Sequence, residues 1–105
     1  MDITIMQGDA CEVPFVVKAD GTAVTPDMAD AVELTIGTLS RLYPGEITYD
    51  EKRQQWLCPL TQEQTFAFPA GEMETQVRVR LMDGSVFGGK GRSIRVLESQ
   101  SKGVI

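Results

Sequence analysis

The sequence predicts an all-β domain, an antiparallel sandwich of about seven strands with one short helical turn near residues 61–66. Three observations indicate this: apolar and polar residues alternate in short runs, turn signals recur about every 8–15 residues, and no long helical pattern is present. A closed small barrel is the structural alternative, because it uses the same short strands and turns.

Two strands open the chain. Residues 2–6 alternate and end at Gln7-Gly8-Asp9, where glycine and aspartate favour a turn. Residues 11–18 alternate again, and Pro14 within them indicates an edge or a bulge, because proline cannot donate to a ladder. Asp20-Gly21 then reverses the chain, since Gly21 accepts a positive φ without strain.

The middle of the chain contains a third main strand, predicted over roughly 31–39. Tyr43-Pro44-Gly45 breaks the pattern and leads to a short strand over residues 46–50. The charged reversal at residues 50–53 joins that strand to a hairpin partner around Trp56. Trp56 shares its register with other apolar residues, so we expect it to fill the core.

Thr61 and Gln64 have the spacing of a capping box, which predicts one helical turn that Phe66 and Phe68 anchor on the core. Pro69 then ends the turn.

A long strand follows over residues 72–82, and Asp83-Gly84 predicts a two-residue hairpin in which both residues take positive φ. The run Gly88–Gly91 predicts a bulge or flexible kink in the returning last strand, which finishes near Glu98.

The complete pattern favours a sandwich of immunoglobulin-like type. We expect a single domain over residues 1–98 and a flexible C-terminal tail over 99–105. The side chains predicted to face inward are Ile3, Ile5, Val13, Phe15, Val17, Val32, Leu34, Ile36, Trp56, Val77, Val79, Leu81, Ile94 and Val96.

Composition excludes several classes of function. The 105 residues suffice for one domain that removes roughly 65% of its unfolded surface from water. The net charge of −5 argues against a general nucleic-acid binder. The absence of histidine excludes histidine-based acid/base catalysis and histidine metal ligation. We therefore expect no enzyme, cofactor or metal site, and the lack of a signal or apolar span predicts cytoplasmic synthesis without membrane association.

Two cysteines, Cys11 and Cys58, lie on inward registers. The main interpretation is a pair of small buried side chains. A disulfide between them and a reactive thiol are the alternatives.

Several arginines are predicted to share the outer face of the sandwich. We expect the third strand to lie beside the long strand and the last strand, which brings Glu33 and Thr35 near these side chains. Cross-strand ion pairing is one interpretation of the set, and a docking face for an acidic partner surface is the other. The candidate docking residues are Arg78, Arg80, Arg92, Arg95 and Glu33.

The order of several weak motifs is similar to that of one protein family. The motifs are Gln7-Gly8-Asp9, Asp20-Gly21, Leu60–Thr65, Gly71, Gln76-Val77-Arg78, Asp83-Gly84 and Ile94-Arg95-Val96. Over residues 3–98 the chain resembles the immunoglobulin-like N-terminal domain of phage baseplate upper proteins and related small prophage tail proteins. The resemblance implies a non-enzymatic virion component that docks to other tail or baseplate proteins, in a family that commonly acts in oligomers, so that a homo-oligomer is one option for this chain. It also implies synthesis in the bacterial cytoplasm and a place in the virion if the phage assembles.

Because the chain stops soon after this domain, we expect it to carry no receptor-binding region. The alternative function is a carbohydrate- or cell-surface-binding sandwich module, which needs aromatic side chains exposed together. Tyr43, Tyr49 and Trp56 are the candidates for that role.

Overall fold

The computed structural model describes residues 3–105, which form twelve strands and one short helix, so the predicted start of the first strand at Asp2 lies outside the described residues. Among these residues, no helix has the length and apolar character that crossing a membrane requires. The elements are β1 (Ile3–Met6), β2 (Cys11–Phe15), β3 (Lys18–Ala19), β4 (Thr22–Ala23), β5 (Ala29–Ile36), β6 (Leu39–Tyr43), β7 (Thr48–Asp50), β8 (Gln55–Leu60), α1 (Gln62–Phe66), β9 (Gly71–Met73), β10 (Thr75–Leu81), β11 (Val86–Lys90) and β12 (Ile94–Leu97).

The strands form open sheets. The largest has the order β11-β10-β5-β6, and two three-stranded sheets have the orders β2-β8-β7 and β1-β12-β9. β3 and β4 form a separate small hairpin. The strand pairs are antiparallel except for β1 and β12, which run parallel. The prediction of an all-β sandwich with one short helical turn is confirmed.

One hydrophobic cluster joins the sheets, because alternate residues of each strand point to the same interior. Its members from the predicted inward set are all buried except Ile3 and Leu81, which are half-buried and pack against the cluster. The cluster also takes in residues beyond that set: Ala19, Val24, Ala29, Ile47, Cys58, Leu60 and Phe68.

Trp56 lies at the centre of this core with 1% of its surface exposed, which confirms its predicted place. Its Nε1–H donates to the Val24 carbonyl oxygen at 3.1 Å. The rings of Tyr43 and Tyr49 each meet the indole edge to face, with centroids 4.9 Å away.

The capping box predicted for α1 is present. The Thr61 hydroxyl accepts from the Gln64 N–H at 3.2 Å, and the Gln64 side-chain oxygen accepts from the Thr61 N–H at 2.8 Å. Thr65, on the inner side of the helix, is fully buried and bonds to the turn after β1. A five-residue helix is short, so these caps and anchors supply stability that its own backbone cannot.

Several strand predictions were wrong in extent. The third main strand, predicted over roughly 31–39, ends at Ile36, and a turn at Gly37 leads into the separate strand β6, which the sequence did not predict. The long strand predicted over 72–82 is two strands, β9 and β10, which are separated at Glu74 and belong to different sheets. The predicted neighbours of the third strand were also partly wrong, because β5 lies between β10 and β6.

The hairpin between β10 and β11 differs from the two-residue form. The Gly84 N–H donates to the Leu81 carbonyl at 2.9 Å, and the Leu81 N–H donates to the Ser85 carbonyl at 2.8 Å. Gly84 takes positive φ and Asp83 does not. The loop therefore has three residues, with glycine in the left-handed position that this hairpin class uses.

The glycine run causes no bulge where one was predicted, because Gly88 and Gly89 pair in regular register with β10. The irregularity lies a few residues later, at residues 91–93. Two residues separate Gly91 from Ile94, whereas one residue separates their partners Thr75 and Met73. The returning strand, predicted as one strand up to Glu98, is therefore two: β11 beside β10, and β12 between β1 and β9 in another sheet.

Candidate functional site

The structure divides the predicted docking residues between two sheets. Glu33, Arg78 and Arg80 share the outer face of the four-stranded sheet, which is the face turned away from the core. Arg95 lies on β12, in the sheet with β1 and β9, and pairs in register with Glu72 there. Arg92 lies in the link between β11 and β12, where its carbonyl accepts the Thr75 hydroxyl at 2.7 Å.

Ion pairing accounts for one arginine of the outer face. Arg80 donates through Nε to the Asp30 carboxylate at 2.7 Å. Arg78 lies directly opposite Glu33 in the ladder, yet the two form none of the ion pairs found in residues 3–105. Arg78 is exposed, so its charge is available at the surface.

Strand β11 forms an edge of the four-stranded sheet, with β10 on one side and no strand on the other within the described residues. Two bonds fix which of its backbone groups reach β10: Leu81 N–H to Ser85, and Gly91 N–H to the Thr75 carbonyl at 2.9 Å. Hydrogen-bonded pairs alternate along an antiparallel ladder, so Phe87 and Gly89 bond to β10. The residues that direct N–H and C=O to the open side are Val86, Gly88 and Lys90.

The open side of β11, called here the β11 edge, has little side-chain cover. All five residues of the strand are exposed, including Val86 at 54% and Phe87 at 45%. Gly88 and Gly89 contribute no side chain, and a Cβ at Gly88 would lie 3.4 Å from Cγ of Arg78. The Arg78 side chain therefore lies over Gly88, towards the edge.

A groove of about 270 Å³ runs along the inner side of this edge. We call it the edge groove. Its lining combines apolar side chains of β10, β11 and the segment after β2 with Lys18, Lys90 and the backbone of two glycines. Its lining residues are Val16, Val17, Lys18, Val77, Val79, Phe87, Gly88, Gly89 and Lys90.

The turn that leads into β11 is held by Asp83. Its carboxylate accepts from the Ser85 backbone N–H at 2.8 Å, and this bond lowers the pKa of the Asp83 side chain. At neutral pH the Asp83 side chain is therefore ionised, and its charge-assisted hydrogen bond holds the turn that precedes β11.

The two cysteines are free thiols, Cys58 buried and Cys11 half-buried. Burial raises the pKa of Cys58 to about 11, and burial together with the Asp9 charge raises the pKa of Cys11. Both side chains are therefore protonated at neutral pH, which makes them poor nucleophiles.

The three aromatic candidates for sugar binding lie together, but as a core cluster. Trp56 is buried between Tyr43 and Tyr49, and both tyrosines are half-buried with their rings against it. A flat exposed ring that a sugar could stack on is absent from this trio. Among residues 3–105, no group of three or more cysteine, aspartate or glutamate side chains is placed to hold a metal ion.

The β11 edge was missed at the level of the sequence, where the glycines indicated an irregularity. The available signal was the apolar pair Val86-Phe87 directly after a hairpin turn, followed by glycines and one lysine. Edge strands are commonly protected by several charges or a proline, and this strand carries a single charge.

No protein-family model matches the chain, and no curated protein matches it.

Proposed function

We propose that this protein is a non-enzymatic structural component of a phage or prophage tail or baseplate, and that it acts by docking to another virion subunit. The order of turn and strand motifs supports the tail family, through the resemblance given above. The proposed mechanism is binding by surface complementarity, without covalent chemistry.

The observation that carries the docking function is the β11 edge. A regular strand with open backbone groups, exposed Val86 and Phe87, and an adjoining groove lined by apolar and polar groups is a surface suited to another protein. The arginine face contributes beside it, because Arg78 is exposed and free of ion pairs in the described chain. The docking region proposed here is therefore the β11 edge with the neighbouring part of the outer face.

The experiment is co-expression of the tagged protein with the product of each neighbouring gene in its genome, followed by purification and light scattering. We expect a complex of defined stoichiometry with at least one tail or baseplate protein. Mass spectrometry of purified phage particles from an induced culture should also find the chain in the virion.

The control for specificity is the same purification with an unrelated immunoglobulin-like domain of similar charge. A monomer that associates with none of the neighbouring tail proteins, and that is missing from purified particles, would contradict the proposal. Neighbouring genes without any tail functions would contradict the family assignment in particular.

A further inference from the structure

We infer that the β11 edge binds an extended segment of its partner by strand addition, and that this segment alternates acidic with apolar residues. The inference rests on the proposed function and states the chemistry of the partner. The partner strand would become a fifth strand beside β11.

The backbone of β11 has open hydrogen-bonding groups on the side where such a strand would pair. Val86, Gly88 and Lys90 direct their N–H and C=O groups to the open side, and an antiparallel strand makes two backbone hydrogen bonds at each such residue. Gly88 and Gly89 carry no side chains of their own at the edge, which is a recognised role of glycine where another backbone comes close.

The two faces of the added strand would meet different surroundings. On the inner side, its side chains enter the edge groove, where they meet the apolar side chains of Val77, Val79 and Phe87. On the outer side, the residue opposite Gly88 lies next to the Arg78 side chain, which covers that glycine. Successive residues of a strand point to opposite faces, so the partner segment alternates between an apolar residue and a polar one.

Charge determines that the polar residues are acidic. Lys90 lies opposite the exposed Gln76 in the ladder, so it shares the outer face with Arg78, and the polar residues of the added strand would meet both cations. The lining of the edge groove includes Lys18 and no carboxylate. These three cations take part in none of the ion pairs in residues 3–105.

Two acids border the same surface: Glu74 lines a pocket together with Gly88, Gly89 and Lys90, and Glu33, two strands from the edge, lines another with Arg78 and Val86. Neither acid forms any of the ion pairs in residues 3–105, so it leaves these cations unpaired.

A second copy of this chain fits the same edge less well. Two β11 strands can pair around Gly88 with their open backbone groups in register. That pairing places both Arg78 side chains over adjacent glycines, on the same face and directed towards each other. Like charges across neighbouring strands are destabilising, so an acidic strand is the better occupant.

The test measures fluorescence anisotropy of a fluorescein-labelled peptide of alternating Glu and Val residues, titrated with the protein at low salt. A peptide of alternating Lys and Val is the matched probe. We expect the Glu peptide to bind and the Lys peptide to bind at least about tenfold more weakly, with an affinity for the Glu peptide that falls as salt rises.

Gly88→Pro is the variant that isolates the backbone. It removes a donor that only an added strand uses, and proline is tolerated where the N–H of an edge strand faces solvent. We expect this variant to keep its circular dichroism spectrum and to lose at least about tenfold in affinity for the Glu peptide. Gly88→Ala is the matched comparison, because it adds a side chain at the same position but keeps the N–H, and it should lose less affinity than Gly88→Pro.

Side-chain charge is tested separately. Arg78→Gln and Lys90→Gln should each lower the affinity for the Glu peptide by about threefold and make that affinity less dependent on salt. Arg95→Gln, which removes the same charge from the other sheet, should leave the affinity unchanged.

Equal binding of the two peptides, no binding of either, or Glu-peptide binding that survives Gly88→Pro would each overturn the inference. A dimer of the protein alone that Gly88→Pro dissociates would overturn it in favour of a second copy as the occupant. A tail protein that copurifies equally with wild type and Gly88→Pro would overturn the inference and leave the proposed function intact. Failure of all tail proteins to copurify would instead contradict the proposed function.

Discussion

Replacing Thr65 by valine should destabilise the protein strongly although the two side chains have nearly the same shape. Thr65 is fully buried on the inner side of α1. Its hydroxyl donates to the Asp9 carbonyl at 2.8 Å and accepts from the Gly8 N–H at 2.9 Å. One side chain therefore joins the helix to the turn between β1 and β2.

The magnitude follows from the two backbone groups that valine leaves without a partner. A buried donor or acceptor that loses its hydrogen bond costs about 1–3 kcal/mol. Gly8 is half-buried and Asp9 is exposed, so water partly replaces the two lost hydrogen bonds. The combined cost for the two groups should therefore lie in the lower part of the range that two fully buried groups would give. We expect Thr65→Val to lower the free energy of unfolding by about 2–4 kcal/mol. For a domain of this size, that is a fall of roughly 10–20 °C in Tm.

The assay is urea denaturation followed by circular dichroism, with a thermal scan on the same samples. Thr65→Ser is the matched control, because it keeps the hydroxyl and loses one methyl group, at a cost of about 1 kcal/mol. The reasoning would be refuted if the valine variant lay within about 0.5 kcal/mol of wild type. It would be refuted equally if the serine variant lost as much stability as the valine variant.

Three further predictions concern the core and the last hairpin. Trp56→Phe should cost about 2–4 kcal/mol in chemical denaturation, because it removes buried ring atoms and leaves a main-chain carbonyl without its indole donor; a loss below about 1 kcal/mol would argue against this account. Gly91→Ala should destabilise by about 1–3 kcal/mol, since a Cβ there collides with the Thr75 hydroxyl, whereas Gly89→Ala meets no atom within 4 Å and should be nearly neutral; equal effects would contradict the contact. Burial raises the pKa of Cys58 from 9.0 to about 11, so the thiol of the unfolded chain ionises at lower pH than that of the folded protein. The contribution of Cys58 to the free energy of unfolding should therefore be constant below pH 9 and fall by roughly 2 kcal/mol as the pH rises towards 11. In urea denaturation at both ends of that range, Cys58→Ala should lack this part of the pH dependence.

The features that the sequence predicted well depend on local chemistry. The capping box needs only Thr61 and Gln64 at the right spacing, and the turn at Asp20-Gly21 needs only residues that accept positive φ, which both adopt. The alternating strands around Val13, Val32 and Val79 were predictable because burial of one face imposes a period of two.

The features that were missed depend on tertiary contacts. The break at Glu74 separates β9 from β10 because the two halves pair with different sheets, and no local signal records that change of partner. The regular path of β11 through Gly88 and Gly89 is likewise imposed by its partner β10, which overrides the weak strand preference of glycine.

Of the candidate site, the sequence predicted the exposed positive charge but not the β11 edge. The sequence grouped Arg78 with Arg95 because both stand at outward positions of strands, whereas the structure assigns them to different sheets. Which strand forms an edge is a property of the complete sheet order, so the open side of β11 could not be read from its own residues.

Amide hydrogen exchange of the ¹⁵N-labelled protein, followed by NMR with and without the alternating Glu and Val peptide at saturation, tests docking at the β11 edge most directly. In the free protein, we expect fast exchange at Val86, Gly88 and Lys90 and slower exchange at Phe87 and Gly89, whose amides bond to β10. Binding should slow exchange at the three outward amides by at least about tenfold. Unchanged exchange at these amides in the bound state, with protection elsewhere on the surface, would contradict the docking edge.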